Sequence, residues 1–267
     1  MRLHVIACDI LARPVYLCAS RSPHVVDVTL LRRGLHDDPP DLRSTLQAAI
    51  DATGPQHDAV VLGYGLCGGA AAGLEARDIP VILPRAHDCI TLFLGARERY
   101  TAETSGPATY WYVADQLERG DGYGTGIGNF GVGSDTDADM EATRAEYVAK
   151  YGEDNADYLM EVLGAWQVHY GRGAFISMGV ADDAASEAVA REQADRRGWA
   201  FERVEGNMIL VRRLIDGDWG DDMLTLRPGE RLAMSYDDGV VKAVPTEPAG
   251  PAAPGTPVGP PTPVAGG

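Results

Sequence analysis

Four side chains, Cys8, Cys67, His87 and Cys89, have the soft, ligand-forming chemistry of a metal-thiolate site. Thiolates and imidazole are the usual donors for zinc, with three protein ligands in an open catalytic site and four in a closed structural one. The chain has no C-x-x-C pair, so local spacing does not assemble these residues. Their position relative to the strands does. Cys8 follows the apolar run 2–7, Cys67 lies in the turn after 58–62, and Cys89 comes shortly after 80–83. In an open α/β sheet ligands bind beyond the carboxyl ends of the strands, and parallel strands carry such turns to one edge. His87 joins Cys89 as H-x-C, which in an extended segment places both side chains on one side. Cys18 belongs to a helical pattern and stays outside the set.

A bound zinc would hold the thiolates deprotonated, with His87 as fourth ligand or as acid/base group. Without metal, Cys67 or Cys89 beside His87 reads as a nucleophile with its base. The plainer alternative is packing, since free cysteine is among the most buried residue types. Asp9 and Asp88 flank the set. Asp88 with His87 is the candidate catalytic pair, while either aspartate also suits a helix N-cap. Arg85 is the candidate substrate-binding cation, with Arg97 and Arg99 extending a basic rim. Residues 63–68 spell G-x-G-x-x-G after a strand, which makes Gly63, Gly65 and Gly68 candidates for holding a cofactor pyrophosphate. The next strand, however, ends without the acid that would bind a ribose, and the turn equally serves to expose Cys67.

The elements that must position these groups follow from periodicity. Strands are predicted at 2–7, 25–31, 58–62, 80–83 and 108–113. Between them come helices at 10–20 and 42–53 (capped by Asp41 or a neighbour), a short helix after the glycine turn, and one beginning at Cys89. A second α/β unit then reads as helices 138–150 and 153–170, strand 173–178, helix 183–197, strand 199–204, a helix near 207–215 and strand 222–226. The alternation implies an α/β fold, a mostly parallel sheet flanked by helices, either continuous or divided into two units near 120–135. The glycine-dense loop 121–134 is a lid or a connection. From Val244 onward the chain is rich in proline, alanine and glycine, so the folded part is expected to be 1–243 with a disordered tail at 244–267.

The net charge is −16, with 39 acidic and 23 basic residues and no basic stripe, which argues against nucleic acid and anionic membranes as partners. No signal-peptide pattern and no apolar run of about 18 residues is present. Four cysteines are too few for a secreted disulfide scaffold, so a reducing cytoplasm is expected.

The segments GYGLCGGAAAGL, PRAHDCITLFLGARERY and YGEDNADYLMEVL resemble the DUF1638 family, over about residues 2–226. That resemblance implies that Cys8, Cys67, His87 and Cys89 occupy the family's signature segments, and it brings an association with corrinoid-dependent methyl-transfer systems. The H-x-C is also similar to the zinc ligands of methylcorrinoid:thiol methyltransferases, whose eightfold barrel this chain's element order does not spell. The expectation is a zinc-thiolate enzyme acting on a small molecule, with thiol or methyl/alkyl transfer as the first reaction class. Its alternatives are an accessory protein that binds metal or corrinoid for a methyltransferase partner, and a metal-free Cys/His enzyme.

Overall fold

The computed structural model describes residues 1–33, 35, 38–119, 137–164 and 169–246. The loop expected at 121–134 and the tail beyond Thr246 lie outside them. The fold is α/β with mostly parallel sheets. Strands β1 (Arg2–Cys8), β2 (Val25–Leu31), β3 (Ala59–Gly63) and β4 (Val81–Pro84) run parallel in the order β2-β1-β3-β4. β3 and β4 are buried along their whole length, which is why each reads as an unbroken apolar run.

A 3-10 turn at Asp9–Leu11 leads into α1 (Ala12–Ala19). Helix α2 (Pro39–Asp51) is capped by Asp38, whose carboxylate accepts from the Asp41 N–H at 3.1 Å. Its two leading prolines sit where no backbone donor is needed. The short helix expected after β3 shrinks to a 3-10 turn at Cys67–Gly69, because Cys67, Gly68 and Gly69 take φ of 47°, 65° and 92°. Successive left-handed residues cannot continue a right-handed helix. The helix starting at Cys89 splits into α3 (Cys89–Leu94) and α4 (Arg97–Thr104), since Gly95 ends α3 with φ 80°.

A second parallel sheet pairs β5 (Thr109–Val113), β6 (Arg172–Ser177) and β7 (Ala200–Glu205). After it come α5 (Ala114–Arg119), α6 (Asp137–Tyr151), α7 (Glu153–Gly164) and α8 (Ala184–Arg196), whereas α9 (Ile209–Ile215), expected in the second unit, packs Leu210, Val211, Leu214 and Ile215 into the core of the first sheet. The chain then returns to the first sheet, where β8 (Met223–Leu226) pairs antiparallel with β4. The sheets share a core: Ala174 and Ile176 pack into the cluster of Val5, Val61 and Ile82, while Phe175, pointing the other way, joins Tyr112 and Trp199. Arg13 of α1 pairs with Asp115 of α5 at 3.3 Å, tying the two together.

Beyond the expected strands the chain forms a hairpin of β9 (Glu230–Met234) and β10 (Val241–Pro245). The ordered chain therefore runs past 243, and Val244 and Pro245 form the end of a strand. Proline at an edge position needs no ladder donor, which is how a tail-like composition conceals a strand. Among the described residues, no helix is long and apolar enough to cross a membrane.

Candidate functional site

Strands β1, β3 and β4 are adjacent, so the turns beyond their carboxyl ends meet at one edge. Cys8 is the last residue of β1, Cys67 lies in the turn after β3, and Cys89 is the first residue of α3. Two backbone bonds stitch the latter turns together, Leu66 N–H to the Ala86 carbonyl and Cys67 N–H to the His87 carbonyl, each 2.8 Å. The glycines before Cys67 permit that approach. A Cβ on Gly63 would lie 2.6 Å from the Ala7 Cβ, and one on Gly65 would lie 2.7 Å from the Asp88 Cα. Their missing side chains make room for protein. Gly68 is exposed, and its left-handed φ sets the turn. The G-x-G-x-x-G reading needs a helix N-terminus to receive the pyrophosphate, and only a 3-10 turn of three residues follows.

The three thiols line one cavity of about 360 Å³. Tyr64, Arg33 and Asp88 share it, and Trp111 of β5 with Gln116 of α5 face it from the second unit. Cys8 is buried, while Cys67 and Cys89 are partly exposed. Burial pushes the Cys8 thiol up to about 12, with the Asp9 charge adding to it and Arg33 opposing it. Burial likewise pushes Cys67 to about 11 and Cys89 well above the ordinary thiol range. All three are neutral thiols at neutral pH in the absence of metal. Tyr64 is 3% exposed, and its hydroxyl has no hydrogen-bond partner among the described residues. Its pKa is raised by burial and by the neighbouring Cys8, Cys67, Asp9 and Cys89.

His87 departs from this group. Its ring is exposed, stacks on Tyr100 with centroids 5.9 Å apart, and lines a different cavity of about 780 Å³ with Arg85 and Arg97. An H-x-C puts both side chains on one side only in an extended segment. The chain instead bends at His87 and Asp88 and enters α3 at Cys89, so period-two alternation does not apply. Asp88 is the N-cap of α3, accepting from the Ile90 N–H at 3.0 Å and from the Tyr100 hydroxyl at 2.9 Å. Burial raises its pKa, and these two bonds oppose the rise. Asp9 is buried and accepts from the Arg33 N–H at 3.0 Å, joining the ends of β1 and β2. Arg85 donates to the Gly239 and Val241 carbonyls and so pins the hairpin. Arg97 donates to the Asp238 carbonyl, and Arg99 to that of Leu94.

Cys18 is buried in α1, away from the cavity. Among the described residues, no three His, Cys, Asp or Glu side chains form a group that could hold a metal ion. Sequence reasoning missed Tyr64, Arg33, Trp111 and Gln116. Arg33 was within reach of the carboxyl-edge rule, because it lies just beyond the end of β2, the strand beside β1. Trp111 and Gln116 carry no such signal, being supplied by the other sheet.

No curated protein and no solved structure matches the chain. A family model described as a protein of unknown function, DUF1638, matches residues 30–215, which include Cys67, His87 and Cys89 and leave Cys8 before the matched segment. That match spans well over half of the chain, which therefore belongs to the DUF1638 family.

Proposed function

We propose that this chain is a metal-thiolate protein acting on a small molecule in the 360 Å³ cavity, with Cys8, Cys67 and Cys89 as its sulfur donors. The observation that carries this reading is selective: three of the four cysteines reach one cavity from the end of β1, the turn after β3 and the start of α3, at the ligand-binding edge of a parallel sheet. Zinc is the simplest occupant of such a donor set. The chemistry available with metal bound is activation of a small thiol, and methyl or alkyl transfer linked to a corrinoid or methyltransferase partner is the reaction class we assign first. Trp111 and Ile90 supply apolar wall that excludes water, and Arg33 brings positive charge toward the thiolates. A reducing compartment, the cytoplasm, is what this reading requires of the free thiols.

The metal-free alternative is weaker on geometry. The imidazole that would serve as base faces another cavity, and burial keeps the thiols protonated. An accessory role would call for a closed shell without room for substrate.

The test is metal content of the full chain purified anaerobically under reducing conditions. A thiophilic metal should bind stoichiometrically, be lost on Cys8→Ser, Cys67→Ser or Cys89→Ser, and persist in Cys18→Ser. A wild-type protein that takes up no metal, as isolated or after metal addition, would sink the proposal.

A further inference from the structure

The amino edge of the first sheet, opposite the thiol cavity, carries two histidines that take no part in the metal-thiolate site. His4 stands near the start of β1 and His57 just before β3. Their rings stack with centroids 5.3 Å apart and planes 29° from parallel. His57 is only 8% exposed, and His4 is half-buried. Asp27 of β2 is the strand partner of His4, and its carboxylate lies 2.8 Å from the His57 Nε2.

The hydrogen bonds assign the protons. Both ring nitrogens of His57 face acceptors, Nδ1 the Gly54 carbonyl at 3.2 Å and Nε2 the Asp27 carboxylate. A neutral imidazole has one N–H, so only the protonated ring satisfies both. The nitrogens of His4 face hydroxyls instead, Nδ1 that of Thr53 at 2.7 Å and Nε2 that of Thr29 at 2.9 Å. The Thr53 hydroxyl already donates to the Ala49 carbonyl at 3.0 Å, so it accepts from the His4 Nδ1–H. Nε2 is then free to accept from Thr29, and a neutral ring serves both bonds. The stacked pair therefore holds one proton. Its counter-charge is Asp27, which the Arg2 guanidinium and His57 hold below the usual carboxylate range.

We propose that His4 and His57 form a proton-operated clasp: with one proton the pair ties β2 and the turn before β3 to β1, and a second proton, taken up by His4 on acidification, opens it. The second proton sets two like charges face to face and forces the Thr29 hydroxyl to turn from donor to acceptor. Asp27 is already shared between Arg2 and His57, and Asp58, the other carboxylate at this edge, accepts from the Arg2 N–H at 2.6 Å. Burial lowers the His4 pKa, the His57 charge lowers it further, and Asp27 opposes both. His4 thus binds its proton more weakly in the fold than at its ordinary value of 6.5, so the clasp is complete above that pH and is lost as pH falls below it. None of this depends on the thiol cavity being a metal site.

The experiment is hydrogen exchange of the full chain at pH 7.5 and pH 5.5, read by mass spectrometry and corrected for the intrinsic pH dependence of exchange. Long-range proton–nitrogen spectra of histidine-labelled protein report the ring states alongside it. Segments 25–31 and 52–58 should exchange at least about threefold faster at the lower pH. That response should vanish in His4→Asn, which keeps a donor for Thr53 and cannot take up a proton. The spectra should show His4 as the neutral Nδ1–H ring while His57 carries both protons. His57→Asn removes the facing charge and should move the His4 titration upward, a shift that loss of packing alone would not produce. Spectral dispersion identifies a variant that fails to fold, and the wild-type measurements stand independently of it. Equal exchange of the two segments at both pH values, or an acid response retained in His4→Asn, would overturn the clasp. A His4 ring protonated on both nitrogens at pH 7.5 would overturn the proton assignment and the clasp with it.

Discussion

Cys8 is held as a neutral thiol by the apolar end of β1, with its pKa pushed to about 12. A raised thiol pKa favours the protonated form in the fold. Once pH exceeds the ordinary thiol value of 9.0, the unfolded chain loses this proton while the folded chain keeps it, so stability falls as pH rises. Through that window the metal-free protein should lose about 1.4 kcal/mol per pH unit from Cys8 alone. Urea unfolding of the metal-free chain at pH 9 and pH 10.5, compared with Cys8→Ser, isolates this contribution; equal losses in the two proteins would contradict it. The same protonation makes the thiols sluggish nucleophiles. Pulse alkylation at pH 8 should modify Cys8 and Cys89 at least roughly tenfold more slowly than free cysteine, as read residue by residue by mass spectrometry.

Among the elements, the turns after β3 and β4 act as one unit, and the glycines divide their work. Gly65→Ala would drive a methyl group to within 2.7 Å of the Asp88 backbone, in a direction where no flexible side chain can yield. A loss of about 1–3 kcal/mol is expected, together with loss of metal binding as the Cys67 and Cys89 turns part. Gly68→Ala meets nothing within 4 Å and pays only for its φ of 65°, about 1–2 kcal/mol, so metal binding should survive. Thermal melts and metal content of both variants check the contrast. Asp88→Ala removes the α3 cap and should cost about 1 kcal/mol, most of which Asp88→Asn restores. The H-x-C spacing misled for a reason that belongs to this scale: two bends and a helix start rotate Cys89 away from His87, and the sequence pattern carries no sign of that change of backbone direction.

For the molecule as a whole, the cavity closes only because two sheets come together. β1, β3 and β4 bring the thiols, while β5 and α5 bring Trp111 and Gln116. Metal loading must therefore stabilise the shared fold and displace protons. In a weakly buffered calorimeter at pH 7.5, binding should release about three protons per chain, and affinity should rise with pH because the thiols must ionise. Proton release near zero would mean that the thiolates are not the ligands. Loading should also raise the melting temperature of the first sheet and the second in a single transition, since Ala174 and Ile176 pack into the core of the first.

The strands and the edge at which the cysteines gather were legible in the sequence. Apolar runs such as 59–63 announce doubly buried strands through local pattern alone, and the strand–helix alternation obliges β1 to β4 to run parallel, which places Cys8, Cys67 and Cys89 at one end. Nothing local decided the rest. The return of β8 to the first sheet, the β9–β10 hairpin, the approach of Trp111, the buried hydroxyl of Tyr64 and the departure of His87 all depend on long-range packing. Composition and periodicity report which face of an element is apolar. Which distant element covers that face, and which polar atom is left beneath it, is settled only when the surfaces meet.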